Sequence, residues 1–179
     1  MKSDYRVRAI KFIHSIIPEI ERNMFDVYSV EAAVAEYNKR HHRRVNVKHG
    51  AVRIVLITSD YVVKWDYDGG AREDFGGCEE EYNLYNRAVH DGFSYLLAEP
   101  TLYEFNDVIF SIMPRINGIG FKAHSIAYYC SPAEKHWIFN NIEDIHDFNW
   151  GFYKEKPIII DYASGVEDYD DYDDDEEEE

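Results

Sequence analysis

Two aspartates and an asparagine stand at a spacing that could do chemistry in "EDIHDFNWGFYKEKPIIIDYA", residues 143–163. Asp144 precedes Asn149 by five residues, and Asp161 follows Asn149 by twelve. Phosphoryl transfer from ATP asks a protein for few parts. A lysine holds the phosphates and a glutamate orients it. One aspartate positions the attacking hydroxyl, and an asparagine and a second aspartate hold magnesium. The chain carries such residues in that order: Lys64 in an apolar run, glutamates at 79–81, D-x4-N, then Asp161 behind "PIII". Asp and Asn also favour turns for purely structural reasons. The linear order of all the parts is what argues for chemistry.

The elements that must position these residues follow from pattern. Val7, Ile10, His14 and Ile17 share one helical face over 4–17, which Pro18 is expected to interrupt. "YSVEAAVAEYNKR" predicts a second helix with Ser29 as its N-cap. The run "KRHHRR", 39–44, suits the negative end of that helix, or a phosphate. Three antiparallel strands are expected over 44–48, 51–57 and 61–66, the last carrying Lys64. "DGGAREDFGG" reads as a loop, and "CEEEYNLYNRAVHDG" as a helix stopped by Gly92. Two strands flank a turn at "EFND". Ser131-x-x-Glu134 with Pro132 is a capping box opening another helix. "NWGFYKEKPIIID" reads as a hairpin turning at Lys154-Glu155-Lys156 and ending on Asp161.

Bulk properties narrow the class. The chain has 179 residues and a net charge of -16, enough for one domain or two small lobes. Eleven of the acidic residues lie in 167–179, a stretch without a base; the rest carries 24 acidic against 19 basic residues, a net of -5. A tail so charged is expected to stay disordered. Cys78 and Cys130 form no C-x-x-C pair, which argues against a disulfide framework or zinc site and for a reducing compartment. The N-terminal apolar residues are interrupted by Lys11 and His14, unlike a signal peptide or a spanning helix. The expected setting is a cytoplasm, with no membrane contact. Overall acidity argues against direct nucleic-acid binding.

On these motifs the chain resembles the protein kinase-like superfamily. "DIHDFNWGF" looks like the D-[LIM]-H-x-x-N stretch of small bacterial, aminoglycoside-phosphotransferase-like and bacteriophage kinases. "DYVVKW" resembles the lysine-bearing third strand, and "IIIDYA" the metal-binding strand. The likeness covers roughly residues 44–165 and is nearest in flavour to small bacteriophage-encoded Ser/Thr protein kinases. It implies a minimal two-lobed α+β kinase-like fold. The expected division is an N-terminal helical segment (1–43), an N-lobe (44–116), a reduced C-lobe (117–166) and the acidic tail (167–179). It implies Asp144 as catalytic base, Asn149 and Asp161 as magnesium ligands, and Lys64 as the phosphate anchor. Met113 to Ile116, Arg115 included, would border the adenine, and Gly50 would turn over the phosphates. For the glutamate, helical spacing selects Glu81: Cys78, Glu81, Leu84 or Tyr85, and Ala88 form one stripe. His146 is expected to be structural.

Four departures from the family pattern stand out. The phosphate loop "KHGAVR" has one glycine where three are usual. Ile142-Glu143 replaces the His-Arg before the base. Asp161-Tyr162-Ala163 replaces D-F-G. Only sixteen residues, eleven of them acidic, follow Ala163, so an activation segment and the large substrate-binding helices are expected to be missing. The N-terminal helices are expected to pack where that lobe is reduced. Two functions follow as expectations. One is a phage-type kinase that uses Mg-ATP to phosphorylate Ser/Thr of host proteins in the bacterial cytoplasm. The other is a pseudokinase that binds or inhibits a host protein, in part through a tail mimicking the charge of DNA.

Overall fold

The computed structural model describes residues 4–20, 26–50, 53–66, 77–116, 126–143, 145, 147–153 and 156–162. Residues 67–76, 117–125, 154–155 and 167–179 lie outside them. So do Asp144 and His146.

Two helices come first, α1 (Tyr5–Ile20) and α2 (Val27–His41). Pro18 does not interrupt α1; it sits in its last turn, where the bond its missing N–H would have made to the His14 carbonyl is among the last of the helix. The α2 cap is Asp26, not Ser29. The Asp26 carboxylate accepts the N–H groups of Tyr28 and Ser29, and the Ser29 hydroxyl donates to it. A full negative charge at the positive helix end outcompetes a hydroxyl three residues later.

A five-stranded antiparallel sheet follows in the order β1-β2-β3-β5-β4: β1 (Asn46–His49), β2 (Arg53–Ile57), β3 (Tyr61–Asp66), β4 (Thr101–Phe105) and β5 (Val108–Pro114). The β4–β5 turn is Asn106-Asp107, both at positive φ, the residues such a tight hairpin prefers. Helix α3 (Gly77–Asp91) lies between β3 and β4 in sequence. It closes on Gly92 at φ 81, with Phe93 N–H to the Ala88 carbonyl and Gly92 N–H to the Val89 carbonyl. That pair of bonds satisfies two orphan carbonyls, and the positive φ is why glycine stands there. Further on come α4 (Ile126–Tyr129) and α5 (Pro132–Asn141), the latter opened by the expected Ser131–Glu134 capping box. The hairpin β6 (Trp150–Tyr153) and β7 (Lys156–Ile159) ends the described chain. This is the small α+β arrangement with an antiparallel sheet that the sequence pattern implies.

Strand periodicity gives the sheet two working faces. Ile54 pairs with Trp65 and Leu56 with Val63; these residues, with Phe110 and Ile112, pack against α1 and α2 in one apolar core. The N-terminal helices therefore cover the outer face of the sheet, rather than standing in for a reduced C-lobe. The outer face is apolar on every central strand, and burying it outweighs filling a gap elsewhere. The opposite face carries Arg53, Val55, Lys64, Asp66 and Ser111, set side by side by the register Arg53–Asp66, Val55–Lys64 and Lys64–Ser111. A second core joins α3, α5, β6, β7 and Tyr162 below it. No helix among the described residues is long and apolar enough to cross a membrane.

Candidate active site

The site begins with the polar face of the sheet. Lys64 and Asp66 alternate with apolar neighbours on β3, so both point to α3. Asp66 receives the Cys78 N–H at 3.3 Å, anchoring the first turn of α3 to the end of β3. Gly77 lets the two meet: a Cβ there would stand 2.9 Å from Asp66 Oδ1 and 3.2 Å from Arg53 Cδ. With its first turn fixed, α3 presents its apolar stripe to the sheet, and Glu81 lies within that stripe, fully buried.

A buried carboxylate demands partners, and Glu81 has three. Lys64 Nζ is 2.6 Å from Oε1, Arg53 Nη1 is 2.8 Å from the same oxygen, and the Ser111 hydroxyl donates to Oε2 at 3.3 Å. These come from β3, β2 and β5, three neighbouring strands. The choice of Glu81 over Glu79 and Glu80 as the partner of Lys64 matches this geometry.

Asp161, just beyond β7, closes the network. Lys64 Nζ lies 3.4 Å from Asp161 Oδ1 and donates to the Ile160 carbonyl at 2.8 Å. Arg53 Nη2 pairs with the same Asp161 oxygen. Two cations thus face two carboxylates. Burial pushes the Asp161 carboxyl up, but Lys64 and Arg53 outweigh it and hold the pKa below the usual carboxylate value. Burial disfavours the Arg53 charge, and Glu81 and Asp161 more than restore it.

Asn149 is brought to Asp161 by backbone bonds: its carbonyl accepts Ile160 N–H at 2.7 Å and Asp161 N–H at 3.3 Å. Tyr162 is fully buried. Its hydroxyl donates to the Ala98 carbonyl at 2.8 Å, and Ala98 N–H bonds the Ile159 carbonyl. The segment carrying Asp161, just after β7, is so fixed to the segment between α3 and β4.

These groups open onto a cavity of about 600 Å³ between the sheet and the segments flanking the β6–β7 hairpin, within the range of small-ligand sites. Gly50, Lys64, Met113, Arg115, Asn149 and Asp161, all singled out in the sequence, line it. Val55, Ile57, Val62 and Ile116 add an apolar wall. Arg115 braces the linker: its backbone N–H goes to the Asp60 carbonyl and its guanidinium to the Thr58 carbonyl at 2.7 Å. Asp144, the expected base, lies outside the described residues.

The residue that sequence reasoning missed is Arg53. A signal existed. Arg53 opens an alternating strand, on the same face as Val55 and Ile57, and a cation on an apolar strand is the feature that marked Lys64.

The donor set can be tested against magnesium. Among the described residues no three His, Cys, Asp or Glu side chains converge as a metal cage. Magnesium needs none: it is held by one or two protein oxygens and by substrate phosphates. Asp161, whose side chain is 39% exposed, and Asn149 supply hard oxygen donors at the cavity wall, so these residues fit the ion.

No family model matches the chain, and no curated protein does. Among solved structures, the Legionella pneumophila Lpg2603 kinase bound to IP6 aligns over 65% of this chain and 46% of its own, with 14% identity and TM-score 0.44. A streptomycin-ATP-APH(2")-IIa ternary complex aligns over 58% and 34%, with 21% identity and TM-score 0.32. The chain spans less than half of either protein.

Proposed function

We propose that this protein binds Mg-ATP in the inter-lobe cavity and transfers the γ-phosphoryl group to a hydroxyl acceptor. The observation carrying this reading is Lys64, held between Glu81 at 2.6 Å and Asp161 at 3.4 Å at the wall of a cavity with an apolar side. A lysine so oriented is a point charge for phosphate oxygens. A low-pKa carboxylate beside it stays ionised near neutrality. Bound magnesium would neutralise charge on the phosphates; Asp161 and Asn149 would hold it. Asp144, by its place in the motif, takes the role of orienting the acceptor hydroxyl and receiving its proton. Ser/Thr side chains of host proteins are the acceptor class we favour, in a bacteriophage setting in the bacterial cytoplasm.

A second reading is favoured by one observation. Arg53 occupies the Asp161 carboxylate, so a metal at Asp161 requires that pair to open or share. A chain in which it stays closed binds partners without phosphotransfer. Labelled ATP with magnesium and a host-cell lysate separates the two. Labelled bands that vanish with Lys64→Met, Asp144→Ala and Asp161→Ala establish the transferase. No label from a wild type that binds its partners establishes the binding module.

A further inference from the structure

Two sequence features play no part in the phosphotransfer site: the basic run at 39–44 and the acidic stretch 167–179. The structure gives the first a shape. Arg8 and Lys11 of α1, His41 at the end of α2, and His42, Arg43 and Arg44 beyond it line a cleft of about 630 Å³, whose other wall is the turn Thr58–Tyr61. Phe12, Tyr37 and Tyr61 also line it, with Phe12 and Tyr61 buried.

The bland explanation is that these cations complement the C-terminus of α2. That end carries about half a negative charge. Four basic residues, His41 to Arg44, crowd it, and α1 contributes two more. Asp60 is the acidic residue that lines the cleft among the described residues, and it pairs with Arg8 at 2.9 Å. Lys11, Arg43 and Arg44 form no ion pair among the described residues. A surplus of cations is concentrated on a chain whose net charge is -16.

We propose that this cleft seats the chain's own acidic segment, 167–179. The complementarity is double. The segment "EDYDDYDDDEEEE" offers eleven carboxylates to the cationic rim and Tyr169 and Tyr172 to the aromatic side chains. The reach suffices as well. At about 3.3 Å per extended residue, Glu167 can lie about 17 Å beyond Tyr162, and Glu179 about 55 Å. Tyr162 shares an apolar cluster with Ile116, and the neighbouring Arg115 donates its N–H to Asp60 on the cleft wall. The docked segment therefore lies behind the linker that borders the nucleotide cavity. The inference does not rest on the phosphotransfer reading.

Carbodiimide cross-linking of the full-length protein, read by mass spectrometry, tests it. Lys11 should couple to carboxylates of 167–179 several-fold more than Lys48, Lys135 or Lys156. The preference should vanish in roughly 1 M salt, where the screening length is about 3 Å. It should also vanish in R43E/R44E, two exposed positions, and weaken in D173N/D174N/D175N, which leaves the cleft untouched. Coupling spread evenly over the lysines, or unchanged by either variant, overturns the proposal. So does coupling found only between isotopically distinct chains, which would make the cleft an interface between copies.

Discussion

Replacing Arg53 by methionine is the sharpest test of how the site is held. Arg53 is 7% exposed and completes a group of two cations and two carboxylates. Methionine fills much of the same volume, so the change is chiefly electrostatic. It leaves one cation for two carboxylates. Removing one partner from a buried ion pair costs about 3–5 kcal/mol. Here Lys64 remains at 2.6 Å from Glu81, and Asp161 keeps some access to water, so the low end applies, about 3 kcal/mol. For a chain of this size that lowers Tm by about 6–12 °C. Urea and thermal unfolding measure it. The same charge balance fixes a coupling. Asp161→Asn removes the surplus negative charge, so the double variant should be less destabilised than the two single changes added together, by at least about 1 kcal/mol. Additive effects, or a Tm unchanged by Arg53→Met, would refute the network as described.

Four further outcomes are expected. Gly77→Ala places a Cβ against Asp66 and Arg53 and should cost about 1–3 kcal/mol by denaturant titration, more than the same change at Gly50, where nothing lies within 4 Å. Asp161 has a depressed pKa, so its stabilisation is present above the ordinary value of about 3.9 and is lost as pH falls below it; Asp161→Asn should flatten that acid limb. Asp66 has the opposite sign, since burial raises its pKa: its contribution is full in acid and lost as pH rises through the folded value, and Asp66→Asn should remove that loss. Cys78 and Cys130 are both free and buried, with burial pushing both thiols up, Cys130 to about 11; a thiol reagent at pH 8 should modify neither until the chain unfolds.

Several parts of the site were legible in sequence because they obey local rules. Helical spacing put Glu81, not Glu79 or Glu80, on the apolar face of α3, and the structure buries it against Lys64. The capping box at Ser131, the Asn106-Asp107 turn and the Gly92 stop are decided within a few residues, and each appears as read. Helix α2 starts at Asp26 rather than at the expected Ser29, because a carboxylate three residues earlier caps its first N–H groups. What the chain by itself determined is the inventory: a strand lysine, a helix glutamate, and an asparagine and aspartate flanking a hairpin, in order. Tertiary structure decided the rest. Only the β2–β3 register places Arg53 beside the Lys64 face, and only the docking of α3 and of the segment at Asp161 gives its guanidinium two carboxylates. Only packing chose the outer face of the sheet for α1 and α2 and folded the basic run into a cleft. Periodicity states which side of an element is apolar. Which partner covers that side depends on contacts between residues far apart in the chain, from Arg53 to Asp161, and no short window of sequence contains both.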